Sequence, residues 1–365
     1  MGEIQKIFIE YGPEYLDRFG DAMPLNHKAV IDAIIQCRTQ ACGITVYECE
    51  ECGEVHHFYR SCGNRHCPSC QHQKALEWLD RQLEKALPGH HFMVTFTVPE
   101  EIRAFIRSHQ SDAYGAMFKA SSETLKKLAR DEEHIGGDTA GFFGVLHTWG
   151  RTLQFHPHIH YVVPGGALSS EDGRWHPSRA DFLLPVRAMS KIYKAKFQGM
   201  MIKSGLFDLI PAEVWEKDWN VNVQATGQSE RTIRYLSRYV FQVAISDYRI
   251  VKVESGKVTF RYRKPGSTRD RQMTLDAMEF IRRFLQHVLP TGFMKVRYYG
   301  FLNPNSAVNL DDVRCAIELC NGFEITTPEA EKAPVEPLYC PSCGGKLKYL
   351  CSVLPHEMPP VRDTG

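Results

Sequence analysis

Three histidines, at 156, 158 and 160, lie in the segment QFHPHIHYVV, and their period of two constrains the local backbone more than any other feature of the chain. In a β-strand successive side chains point to opposite faces, so residues i, i+2 and i+4 share one face. His156, His158 and His160 would therefore converge, with Ile159 and Tyr161 turned to the other side. Pro157 has no N–H to donate to a ladder, so the segment is expected to begin at a sheet edge or a bulge. One such histidine would be an ordinary surface or core residue, but three on a face form a metal-binding pattern. Imidazoles suit zinc, manganese and other transition ions, and sparse ligation leaves positions open for substrate oxygens. His147, in the run FFGVLHT, either supports this face from a neighbouring strand or is a hydrogen-bonded core residue.

The cysteines constrain the rest. Of twelve, seven lie between Cys37 and Cys70 and three between Cys340 and Cys351. The first twenty residues lack a basic start followed by an apolar block, so a secretory signal is not expected and the location is read as cytoplasmic. No apolar run approaches the length of a membrane span. In such a chain CxxC pairs beside histidines read as metal ligands before disulfides. Cys49-x-x-Cys52 and Cys67-x-x-Cys70 together can supply four thiolates to a tetrahedral zinc. Cys62 and His66 are candidates for a second zinc, and His56, His57, Cys37 and Cys42 are spare, with packing the expected role of Cys37. One or two zinc ions are expected here. In the tail, Cys340 and Cys343 have Cys351 and His356 as neighbours for a further site.

Strand-like runs at Phe92 to Val98, Phe142 to Thr148, His158 to Val163 and Lys257 to Arg263 alternate with helical patterns at Glu100 to Arg130, Val186 to Ile202, Ser229 to Ala244 and Thr274 to Val288. Such alternation, with several hairpins, implies an α+β fold with a mostly antiparallel sheet. The chain divides into a zinc-binding module over 1–88, a catalytic region over 89–325, and a proline-rich acidic linker with a small CxxC tail over 326–365.

Net charge is only +1, but Ser229 to Gly300 holds 15 Lys and Arg against 6 Asp and Glu, a phosphate-binding footprint. Within it, SERTIRYLSRYVFQVA places Tyr235 and Tyr239 one helical turn apart. Ile233, Leu236, Val240 and Val243 form the apolar stripe; Tyr235, Tyr239 and Gln242 line its edge, flanked by Arg231, Arg234 and Arg238 as candidate DNA-binding residues. A tyrosine hydroxyl, with an ordinary pKa of about 10, is a poor nucleophile at neutral pH unless its target is activated. A metal on the phosphate oxygens, with arginines to offset developing charge, supplies that activation.

Taken together, the HxHxH strand, the YxxxY helix and the segments YRSCGNRHCPSCQ, HTWGRTLQFHPHIHYVVPGG and CPSCGG make the chain resemble the two-tyrosine, HUH-type transposases of rolling-circle insertion sequences, the insertion sequence 91 type. HUH denotes histidine, hydrophobic residue, histidine, here His158-Ile159-His160. The resemblance runs through nearly the whole chain. It implies an HUH-endonuclease fold, an antiparallel sheet with packed helices, acting on single-stranded DNA at element ends through 5′-phosphotyrosine intermediates. It implies Mg2+ or Mn2+ on His158 and His160, with Tyr235 and Tyr239 as nucleophiles and a bacterial, nucleoid-associated setting. His156 and Gln242 are the rival third ligands. A replication initiator would share this chemistry. A non-catalytic zinc-dependent DNA-binding regulator would need neither the histidines nor the tyrosines, and a zinc hydrolase would need a carboxylate base that the sequence does not place.

Overall fold

The computed structural model describes residues 1–228, 230, 232–234, 240, 244–264, 266–322 and 337–355. Its strands in chain order are β1 (Ile44–Cys49), β2 (Val55–Tyr59), β3 (His90–Thr97), β4 (Phe142–Trp149), β5 (Phe155–Pro164), β6 (Gly166–Leu168) and β7 (Trp175–Pro177). They continue as β8 (Val221–Gln228), β9 (Ile250–Glu254), β10 (Lys257–Arg263), β11 (Asp270–Asp276), β12 (Val296–Tyr299) and β13 (Leu347–Val353). The sequence suggests three consecutive stretches, whereas the structure interleaves them into two compact units. One gathers 1–74, 241–288 and 331–365; the other gathers 75–240 and 289–330.

In the first unit the helix Glu3–Phe19 buries Ile4, Ile7, Phe8 and Tyr15 at helical spacing. Phe8 meets Phe284 of the helix Ala277–Leu285 edge to face, with ring centroids 5.1 Å apart. No side chain of its own caps the first helix, and the Asp247 carboxylate accepts the Ile4 N–H at 2.8 Å instead, placing an anion at the positive end of the helix. The helical pattern from Thr274 resolves into β11 followed by the helix Ala277–Leu285. Asp276 marks the change, its carboxylate accepting the Met278 N–H at 2.9 Å as an N-cap. Strands β9, β10 and β11 form a meander, while β1 lies between β2 and β13 in a separate antiparallel sheet.

The second unit is built on a five-stranded sheet of order β12-β4-β5-β3-β8, antiparallel at every pairing. The α+β expectation with an antiparallel sheet is met. One face buries Phe92, Val94, Phe96, Ile159 and Tyr161 against the helices Gln110–Arg130 and Val186–Lys203, through Phe118, Tyr193 and Phe197. Tyr161 is wholly buried, and its hydroxyl finds Ser121 Oγ at 2.7 Å, so the polar tip of a core ring is satisfied. Opposite Tyr161 in the ladder stands Gly144; a Cβ there would lie 2.4 Å from the Tyr161 ring, so only glycine admits it.

Strand β5 is the central strand, not an edge. Pro157 is accommodated by a bulge: between the pairs His147 with His158 and Trp149 with Phe155, two residues of β5 oppose one of β4. Pairing to β3 begins only at His158, so the missing N–H of Pro157 breaks no ladder bond.

Candidate metal centre

Burial alternates along β5, with Phe155, Pro157, Ile159 and Tyr161 buried and His156, His158 and His160 half-buried. The imidazoles thus share the sheet face away from the helices. His147 joins them, because it is the cross-strand partner of His158 and so projects to the same side. One ligand atom from each of His147, His158 and His160 lies within 4.8 Å of the others. His156 is not in this group, although its ring centroid is 5.0 Å from that of His158. The bulge takes His156 out of the regular ladder, so the third imidazole comes from β4 rather than from β5. Gln242, the other candidate, lies outside the described residues, as do Tyr235, Tyr239, Arg231 and Arg238.

The ring orientations are set by hydrogen bonds. His158 Nδ1 donates to the His156 carbonyl at 2.7 Å, which leaves Nε2 with its lone pair for a metal. His160 Nδ1 meets the hydroxyl of Thr95, its cross-strand partner on β3, at 2.8 Å. His147 stacks on Trp149, whose face carries the Lys295 ammonium at 4.8 Å.

Desolvation dominates the electrostatics. Burial lowers His158 and His156 to about 4 and His160 to about 3, and pushes His147 well below its ordinary value. The histidines depress one another further; Arg103 adds to the effect on His156 and His158, and Lys295 to that on His147. All four rings are neutral at physiological pH, the ligating form. Among the described residues no carboxylate joins the group. Three neutral ligands would leave the full charge of a divalent ion uncompensated, beside Lys295 and an Arg103 that pairs with Glu100 at 3.7 Å. Such a site favours an anion.

Among the described residues that follow β8, Glu230, Thr232, Ile233, Arg234 and Val240 are helical. Thr232, Ile233 and Val240 are buried; Arg234 is exposed and donates to Glu230 Oε1 at 2.8 Å. Ile233 lines one small cavity with Phe143 and Val162. Val162 is two residues from His160 on β5, and Phe143 is its ladder partner, so Ile233 lies on the histidine side of the sheet. On the other side, Lys126, Lys127 and Arg130 of one packed helix and Lys196 of the next line a cleft of about 590 Å³ with Asp138.

The cysteines assemble differently from the sequence expectation. Cys49, Cys52, Cys67 and Cys70 do not form one set. Cys67 and Cys70, in the turn that starts the helix Gln71–Glu84, meet Cys62 and Cys37, with Sγ separations from Cys70 of 3.5 Å to Cys62 and 3.3 Å to Cys37. Cys37 caps the end of the helix Leu25–Gln36, a position that brings it to the cluster as a ligand candidate rather than as packing alone. Hydrogen bonds, chiefly from Cys67, hold the Cys62 thiol down at about 5, the anionic form that binds metal. Cys49 and Cys52 meet Cys340 and Cys343 of the tail. His66 is buried but belongs to neither set, and Cys42 instead donates to the Gln36 carbonyl at 3.2 Å. Cys351 is exposed on β13 and joins neither set, and His356 lies outside the described residues.

A family model described as "Transposase zinc-binding domain" matches residues 7–98, and one described as "Putative transposase" matches residues 141–308. The chain is 36% identical over 355 residues to a protein named "Putative transposase y4qJ" from Sinorhizobium fredii (strain NBRC 101917 / NGR234), covering 89% of this chain and 88% of the relative. It belongs to the insertion sequence 91 family of transposases. A second relative, "Transposase for insertion sequence element IS801" from Pseudomonas savastanoi pv. phaseolicola, is 25% identical over 350 residues, covering 88% of this chain and 83% of the relative. No solved structure gives a significant match. The transposase is thus a DNA-processing enzyme with zinc in its N-terminal region. The Cys37, Cys62, Cys67 and Cys70 set, which lies wholly inside the matched zinc-binding span, fits that ion by donor type and spacing. Among the described residues no helix is long and apolar enough to cross a membrane.

Proposed function

We propose that this transposase nicks and rejoins single-stranded DNA through a 5′-phosphotyrosine intermediate on an HUH-type sheet. The phenolic oxygen of Tyr235 or Tyr239 forms a bond to phosphorus and loses its proton. The bond from phosphorus to the 3′ oxygen breaks, and that oxygen leaves as a hydroxyl once protonated. Rejoining is the reverse attack by a 3′-hydroxyl, which releases the tyrosine. Two nucleophiles one helical turn apart allow two strand ends to be held at one centre.

The observation that carries this reading is the charge of the histidine site: three neutral imidazoles, no carboxylate among the described residues, and Arg103 and Lys295 beside them. His147, His158 and His160 would hold Mn2+ or Mg2+, with imidazole ligands favouring manganese. The ion would polarise phosphorus through the non-bridging oxygens. Arg103, whose guanidinium also lies 3.7 Å from the Glu100 carboxylate, would add positive potential for the phosphate. The position of Ile233 on the histidine side, two residues before Tyr235 in the sequence, supports that reading of the tyrosines. The cleft formed by Lys126, Lys127, Arg130 and Lys196 would hold a further stretch of DNA backbone at the element ends.

The test is cleavage of labelled single-stranded oligonucleotides by the His158→Ala, His160→Ala double variant. Metal-dependent cleavage is expected to vanish while DNA binding, which rests on Lys and Arg, persists. Cleavage that kept its full metal dependence in that variant would place the ion elsewhere.

A further inference from the structure

The tail ends up far from where its sequence position would leave it. β13 pairs antiparallel with β1, from Ile44 with Val353 to Cys49 with Leu347. This pairing sets the CPSC turn at Cys340 to Cys343 against the CEEC turn at Cys49 to Cys52. Cys49 Sγ lies 3.4 Å from Cys343 Sγ, and Cys52 Sγ lies 3.9 Å from Cys340 Sγ; all four sulfurs fall within 4.8 Å of one another. For zinc–sulfur bonds of about 2.3 Å, a regular tetrahedron has sulfur–sulfur edges of roughly 3.8 Å, between those two distances.

The backbone is shaped for this approach. Gly53 and Gly344, one residue beyond each CxxC, have φ of 70° and 77°, the left-handed region glycine favours. A Cβ at Gly345 would stand 2.9 Å from Cys49 Sγ, and one at Gly43 would stand 2.4 Å from the Val353 carbonyl oxygen, so tail and hairpin close only because both are glycine. Gly345 N–H points to Cys343 Sγ at 3.4 Å. His56 Nε2 lies 3.2 Å from Cys340 Sγ, placed to donate to a thiolate from outside the set.

We propose that Cys49, Cys52, Cys340 and Cys343 bind a second zinc ion, so that the C-terminal tail is part of the N-terminal zinc module. The matched zinc-binding span stops at residue 98 and contains only half of this site. The module is therefore incomplete until residues nearly 300 positions apart have met, and the ion acts as the clasp between them.

The test uses the full, unaltered chain. Elemental analysis is expected to give two zinc ions per chain. Pulsed alkylation followed by mass spectrometry then reads the site directly, because exposure and ligation predict opposite results. Cys52, Cys343 and Cys351 are all exposed. Ligation predicts that Cys351 alkylates at once while Cys52 and Cys343 stay protected until a strong chelator is added. The Cys340→Ser, Cys343→Ser double variant should carry one zinc and lose protection of Cys49 and Cys52 while keeping that of Cys67 and Cys70. One zinc per unaltered chain, or Cys343 alkylated as fast as Cys351 before chelation, overturns the proposal.

Discussion

The low proton affinity of the histidine face makes a quantitative prediction about acidification. Free imidazoles have pKa values of about 6.5, so at pH 5.5 roughly one ring in ten is neutral. Three independent ligands of that kind would lose about a thousandfold in metal affinity between pH 7.5 and 5.5, because each must shed a proton to bind. Here desolvation holds His158 at about 4 and His160 at about 3, and pushes His147 well below its ordinary value. At pH 5.5 less than about 5% of the His158 and His160 rings would be protonated. Mn2+ affinity at this site should therefore change by less than about twofold over that range. The assay is Mn2+ titration followed by electron paramagnetic resonance at pH 7.5, 6.5 and 5.5, with zinc content checked at each pH so that loss of the thiolate sites is not mistaken for loss at the histidines. A tenfold or greater fall in Mn2+ affinity with zinc retained would refute the argument. The linked stability has a definite sign. Groups whose folded pKa is depressed contribute stability that is complete above about pH 6.5 and lost as pH falls toward 4.

Ligand identity separates the two neighbours of His158. His147→Ala should weaken Mn2+ binding by at least about tenfold to a hundredfold, while His156→Ala should change it little, as read by the same titration. Charge reversal at Lys127 and Arg130 should lower affinity for single-stranded DNA in fluorescence anisotropy. It should also make the salt dependence shallower, by roughly 0.7 in log–log slope for each phosphate that is no longer neutralised; an unchanged slope would remove the cleft from the DNA path.

What was legible in the sequence followed locality. The period of His156, His158 and His160 gave a strand face, because alternation is a property of consecutive residues. The run Lys257 to Arg263 gave its strand to the residue. Pro157 left a sheet edge and a bulge open as alternatives, and the structure takes the bulge; a bulge is local, while strand order depends on distant partners. His147 carried no local sign of ligation; only the β4–β5 register puts it opposite His158. The CxxC knuckles were visible individually, but any knuckle can complete any other. Only the β1–β13 pairing reveals that Cys49 and Cys52 belong with Cys340 and Cys343, leaving Cys67 and Cys70 to Cys62 and Cys37. The interleaving of 241–288 with the N-terminal segments is of the same kind. It rests on pairs such as Phe8 with Phe284 and Ile4 with Asp247, which no sequence window contains.

The central claim is the tyrosine nucleophile, and mass spectrometry of a trapped adduct tests it most directly. The full chain is incubated with Mn2+ and a single-stranded oligonucleotide from an element end, digested with nuclease and protease, and searched for a phosphonucleotide. The account predicts that mass on Tyr235 or Tyr239, attached through the 5′ phosphate, and its loss in the Tyr235→Phe, Tyr239→Phe double variant. That variant removes only two hydroxyls and should cost within about 1 kcal/mol of stability, so a lost adduct would not reflect unfolding. A phosphonucleotide on any other residue, or an undiminished adduct in the double variant, would contradict the account.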